Sequence, residues 1–128
     1  MTLNQQRNKL MVQMNFTRVT YTGHTWSMTE NGWRDDSTLL TWKTEDEDDR
    51  HTFDDAVAKF RESLPTKEEW KLAEKHGVRE VLSLHGNMYW SASVNSSYLP
   101  SAGYFDSSYG NVLIAYRVST FSVRLIVR

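Results

Sequence analysis

The sequence predicts an α+β domain in which two short helices pack on a twisted, mainly antiparallel sheet. Three observations lead there. Thr52-x-x-Asp55 opens a stretch with apolar residues at helical spacing, and Thr66-x-x-Glu69 opens a second. From Met88 onward the chain reads as short strands separated by turn residues. The length of 128 residues suits one domain, 1–128, with a real core, and no internal repeat or linker divides it.

Residues 1–13 are polar with scattered apolar positions and are expected to form a flexible arm or a short helix. Phe16, Val19 and Tyr21, then Trp26 and Met28, predict two strands around the Thr22-Gly23 turn. Gly32 and Asp35-Asp36 mark another turn before a short apolar strand, Leu39 to Trp42. Thr44 to Arg50 is a charged loop, expected to be a solvated connector. A calcium loop would want a glycine at its sharp turn, and none lies there. Phe53, Ala56, Val57 and Phe60 define a helix from Phe53 to Ser63, stopped by Pro65, which disfavours a helical residue before it. The second helix carries Trp70 and Ala73 on its apolar face, and Gly77 supplies the left-handed cap that ends it. Val78 to Leu84 fits a further helical turn or a strand. Four strands follow: Met88–Val94, Gly103–Asp106, Asn111–Val118 and Thr120–Val127. In the last, Phe121, Val123, Leu125 and Val127 fall on one face, as in a half-buried strand. Asp106 to Gly110 is a hairpin loop, with Gly110 where a positive φ is needed.

Composition narrows the function. Fifteen Lys and Arg against 16 Asp and Glu give a formal charge of −1, so general nucleic-acid binding is not expected. No cysteine is present, which removes disulfides, redox thiols, thiolate nucleophiles and zinc–thiolate sites. No stretch could span a bilayer, and the opening residues lack the apolar run of a signal peptide. A cytoplasmic location is therefore expected, with display on a surface or virion as the alternative. His24, His51, His76 and His85 show no metal-ligand spacing and read as surface or loop residues, so neither metal nor cofactor is expected. There is no G-x-S-x-G elbow, P-loop or dinucleotide fingerprint, and an enzyme is not expected.

Binding is the better expectation. Ser93 to Tyr109 is rich in Ser, Asn and Tyr, a mixture that pairs rigid contact area with adaptable hydrogen bonds. Asn95, Ser97, Tyr98, Tyr104, Tyr109 and Asn111 are the candidate partner-binding residues. Asp46, Asp48 and Asp49 of the acidic loop are candidates for an electrostatic contact. Trp42, Trp70 and Trp90 are expected in the core.

Five segments in order carry a family resemblance. Asp36, Thr38, Leu40 and Trp42 form the first, with Leu39 where glycine is usual. Thr52, Phe53 and Ala56 form the second, and Leu64, Pro65, Thr66, Glu68 and Glu69 the third. Tyr89, Trp90, Ser91, Ala92 and Ser93 form the fourth, and Val123, Arg124, Val127 and Arg128 the last. Phe105, Asp106 and Gly110 add a hairpin. From about residue 33 to the end the chain thus resembles the Lcl C-terminal-like domain family, within the C-type-lectin-like folds. It departs from that family at Glu62-Ser63, where Trp-Arg is usual, and in lacking the cysteine of the first helix. Leu64 to Gly77 is also similar to a segment of formylglycine-generating enzymes, whose chemistry needs cysteines that this chain lacks. The resemblance implies a scaffold that displays a loop-built surface. The expected function is a non-enzymatic binding domain, of the kind a phage or mobile element uses to dock on and inhibit a host protein. The alternative is a receptor- or glycan-binding adhesin module, and the lectin Glu-Pro-Asn or Gln-Pro-Asp signature of calcium-dependent sugar sites is absent.

Overall fold

The computed structural model describes residues 17–94 and 100–128. The expected arm at 1–13 lies outside the described residues. The chain begins as a meander of β1 (Arg18–Tyr21), β2 (His24–Thr29), β3 (Gly32–Asp35) and β4 (Leu40–Trp42). Three helices follow: α1 (Phe53–Phe60), continued by a 3-10 turn over Arg61–Ser63, α2 (Lys67–Lys75), and the single turn α3 (Val78–Val81). The remaining strands are β5 (Met88–Val94), β6 (Ser101–Asp106), β7 (Asn111–Tyr116) and β8 (Ile126–Val127).

Where the sequence predicts one sheet, the described residues form two, both antiparallel. One has the order β1-β2-β3-β4-β8 and the other β5-β6-β7. The final strand therefore leaves its sequence neighbours and closes on β4, pairing Thr41 with Val127 and Trp42 with Ile126.

The helix termini are locally encoded. The Thr52 side chain accepts from the Asp55 N–H, and Thr66 with Glu69 makes a reciprocal capping box. Gly77 follows α2 with φ +92°, and a Cβ there would stand 2.6 Å from the Cβ of Tyr21. Glycine is thus required twice over, by conformation and by close approach. Residues 78–84, open between helix and strand, begin as one helical turn.

Trp70 joins the two sheets. It is fully buried, stacked on Phe105 of β6 at 4.5 Å and tilted against Trp42 of β4 at 4.7 Å. A second core forms on the opposite face of β5 and β6, where Phe53 and Ala56 of α1 meet Trp90, Ala102, Leu64 and Val123. Tyr89 and Trp90 are adjacent but enter different cores, as the pleat of a strand requires. The small sheet is accordingly covered on one face by α2 and on the other by α1.

Two sequence expectations are corrected. Gly32 to Asp35 is a strand, with Trp33 opposite Trp42, and the turns lie on either side of it. Thr120 to Val127 is not one regular strand. Val123 and Arg124 are consecutive and both buried, while Val127 is exposed. The alternation fails because this segment is laced to two neighbours irregularly. His51 exchanges backbone bonds with Phe121, Glu47 N–H donates to Val123, Lys43 N–H donates to Leu125, and Trp90 N–H donates to Ser122.

Candidate functional site

The acidic loop is largely structural. The Arg124 guanidinium is 1% exposed, an extreme position for a group that is always charged. Its Nε donates to Asp46 Oδ1 at 2.8 Å, Nη1 to the Lys43 carbonyl at 3.0 Å and Nη2 to the Ser83 carbonyl at 2.7 Å. Asn87 donates to the other oxygen of Asp46 at 3.1 Å. Asp46 is thus the counter-ion of a buried cation. Asp48 and Asp49 remain exposed, and of the three predicted electrostatic residues only these two face solvent freely.

The predicted tyrosine surface is dispersed. Asn95, Ser97 and Tyr98 lie outside the described residues. Tyr104 is half-buried in β6, its ring 4.7 Å from Phe121 and within the core beneath α1. Burial, and then the nearby Asp106 charge, push its phenol pKa up. Tyr109 is exposed on the β6–β7 hairpin, and Asn111 is exposed at the start of β7. That hairpin is anchored by Gly110, whose φ is +74°, and by Ser107 donating to the Asn87 carbonyl at 2.6 Å. Val94 and Ser101, which flank residues 95–99, sit at the other end of the same strands. A six-residue strand separates the two ends by roughly 20 Å. Tyr109 therefore lies at the opposite end of the sheet from Val94 and Ser101.

What the sequence reading missed is the exposed edge of β7, a strand it did expect within Asn111–Val118. β7 is an outer strand of the small sheet. Arg117 N–H donates to the Pro100 carbonyl, so in the β6–β7 register the backbone of Ala115 and Leu113 faces inward and that of Val112, Ile114 and Tyr116 outward. Along this edge Leu113 is 41% exposed, Ile114 59% and Tyr116 64%, and Val118 in the turn beyond it is 82% exposed. An open cleft of about 370 Å³ lies beside it, lined by Ser101, Ile114, Ala115, Tyr116 and Ser119. The signal was present in the sequence: Val112-Leu113-Ile114 is an apolar run where a strand with one solvated face would alternate.

The histidines correct another expectation. His51 and His76 are buried, His24 is half-buried and His85 is exposed. His76 Nδ1 lies 2.6 Å from Asp35 Oδ2, and the His24 ring stacks on His76 at 3.7 Å while its own Nδ1 meets Ser37 Oγ at 2.8 Å. Ser, His and Asp are close together, but they do not form a relay. The histidine held by Asp35 is not the one bonded to the Ser37 hydroxyl, and the two rings meet face to face. No line of hydrogen bonds therefore runs from that hydroxyl through an imidazole to the carboxylate, which Ser37 meets through its backbone N–H. The pair instead ties β2 and the Asp35–Ser37 turn to the end of α2, with Trp26 Nε1 donating to the His76 carbonyl at 2.8 Å. Among the described residues no group of three His, Asp or Glu is placed to hold a metal ion.

Compared with known proteins, the chain matches no family model and no curated sequence.

Proposed function

We propose that this chain is a non-enzymatic binding domain of C-type-lectin-like fold, and that its contact surface is the apolar edge of β7. The observation that carries the reading is the exposure of Leu113, Ile114 and Tyr116 on one edge strand and of Val118 in the turn that follows it. Contiguous exposed apolar area is costly in water and marks interaction sites, and tyrosine is a frequent anchor within them. The neighbouring cleft would accept a side chain from the partner.

The fold assignment rests on where the resembling segments fall. Leu39, standing where the family carries glycine, has φ +64°, the left-handed region that glycine favours. Leu64 and Pro65 are buried at the junction of the helices, and Thr66 caps α2. Tyr89, Trp90, Ser91, Val123 and Arg124 are all buried where β5 meets the final segment. The partner is a protein. For a chain encoded by a phage or mobile element, it is a host factor that the domain occupies and blocks.

The experiment compares wild type with Tyr116→Ala and Tyr109→Ala in capture from host lysate, followed by affinity measurement on the retained protein. Loss of about 2 kcal/mol in Tyr116→Ala, with Tyr109→Ala near wild type, is the expected result. Equal affinity for Tyr116→Ala and wild type would reject β7 as the surface.

A further inference from the structure

We propose that, in the chain free of its protein partner, the β7 edge is occupied by a second copy of this chain, paired antiparallel through β7 about a two-fold axis at Ile114, which the partner must displace. The inference rests on the reading of β7 as a contact surface and names what covers it. Among the described residues no strand pairs with the outer side of β7. The opposite side of the small sheet is closed, since Trp90 N–H donates to Ser122, Ser122 N–H to Met88 and Ala92 N–H to Pro65. The devices that ordinarily blunt an edge are missing from β7, whose residues Asn111 to Tyr116 include no lysine, no proline and no charge.

The edge is self-complementary. Its outward backbone groups belong to Val112, Ile114 and Tyr116, a set centred on Ile114. A two-fold there lets Ile114 exchange both backbone hydrogen bonds with Ile114 of the second copy, while each Tyr116 N–H meets a Val112 carbonyl. Side chains then match as Ile114 with Ile114 and Val112 with Tyr116, pairings of β-branched and aromatic residues that favour sheets. No like charges meet: Arg117 falls opposite Asn111 and is ion-paired with Asp54 of its own chain. The uncharged strip offers nothing to a strongly charged partner, whereas an identical strip satisfies both its backbone and its apolar surface. Leu113, Ile114, Tyr116 and Val118 expose on the order of 500 Å² per chain, so two copies can bury at most about 1,000 Å² of it, at the lower bound of a specific interface and in keeping with a reversible dimer.

Sedimentation velocity across micromolar to millimolar concentration tests this on the full chain, with amide exchange read on the same samples. The expected result is a reversible species of twice 15.0 kDa, with Ile114 and Tyr116 amides that slow as concentration rises. Ile114→Lys should weaken association at least tenfold. Ile114→Pro should do the same, because it removes an outward N–H and leaves the bonds to β6 intact, and Tyr109→Ala should leave association unchanged. Circular dichroism of each variant verifies folding, and Ile114→Lys stands alone if the proline variant unfolds. A chain that stays monomeric overturns the proposal. If its edge amides are nevertheless protected, the edge is covered from within the chain. If the monomer binds a captured protein that Ile114→Lys loses, β7 stands as a surface but for another occupant. A dimer indifferent to Ile114→Lys overturns it as well, by placing the interface elsewhere.

Discussion

Replacing Asp46 with Asn should destabilise the fold by about 2–3 kcal/mol, although the residue lies in a charged loop that looks expendable. Breaking a fully buried ion pair by removing one partner costs about 3–5 kcal/mol, because the other charge is left uncompensated. Arg124 meets that condition at 1% exposure, but Asp46 is 23% exposed, and solvent screening of its carboxylate lowers the figure. The amide would keep an oxygen for Arg124 Nε, yet it would turn its NH₂ toward Asn87 Nδ2, a donor that now finds a carboxylate at 3.1 Å. In urea, with a slope of about 1.5 kcal/mol/M, the midpoint should fall by between about 1 and 2 M. Asp48→Asn and Asp49→Asn supply the contrast and should stay within about 0.5 kcal/mol of wild type. Arg124→Met combined with Asp46→Asn completes a double-mutant cycle, in which the double variant should lose at least about 1 kcal/mol less than the two single losses together. If Asp46→Asn unfolds at the same urea concentration as Asp48→Asn, the counter-ion argument is wrong. The outcome bears on function too, since neutralising all three aspartates would weaken any partner contact through stability alone.

Trp70→Ala should cost about 3–5 kcal/mol, because it empties the joint between the two sheets, whereas Thr66→Ala should cost about 1 kcal/mol through loss of a cap; equal melting temperatures for the two would refute the packing argument. Leu39→Gly should stabilise by about 1 kcal/mol, since an exposed leucine at φ +64° pays a strain that glycine avoids, and thermal unfolding should report a rise of a few degrees. Burial, followed by the Asp46 carboxylate, raises the Tyr89 phenol pKa above its ordinary value. The neutral form is therefore favoured in the fold, and this contribution is intact below about pH 10 and lost as pH climbs beyond it. Tyr89→Phe, which leaves the Leu84 carbonyl without its 3.0 Å donor, should be less stable at pH 7 but should lose less between pH 9 and 11; a parallel decline with wild type would contradict the assignment.

The sequence by itself determined the features that act over a few residues. Thr52, Thr66 and Glu69 start helices with side chains that reach the next turn, and Gly77 and Gly110 reverse the chain with a conformation other residues resist. The bounds of β5 and the burial of Trp42, Trp70 and Trp90 were legible for the same reason: turn residues and large apolar side chains announce themselves locally. Tertiary structure alone decided which strands pair. β8 joins β4 across some eighty residues, a choice made by the packing of Trp42 and Ile126 in a shared core, and it divides the expected single sheet into two. It also decided the fate of charge and of exposed apolar groups. Arg124 is inside because oxygens from two distant segments, Lys43–Asp46 and Ser83, converge on it, and no local pattern encodes that convergence. Tyr104 and Ile114 both lie in strands with strong β-forming residues, but one packs on Phe121 and the other stands at an open edge. That difference depends on what lies across the sheet and beside it, which only the assembled chain defines.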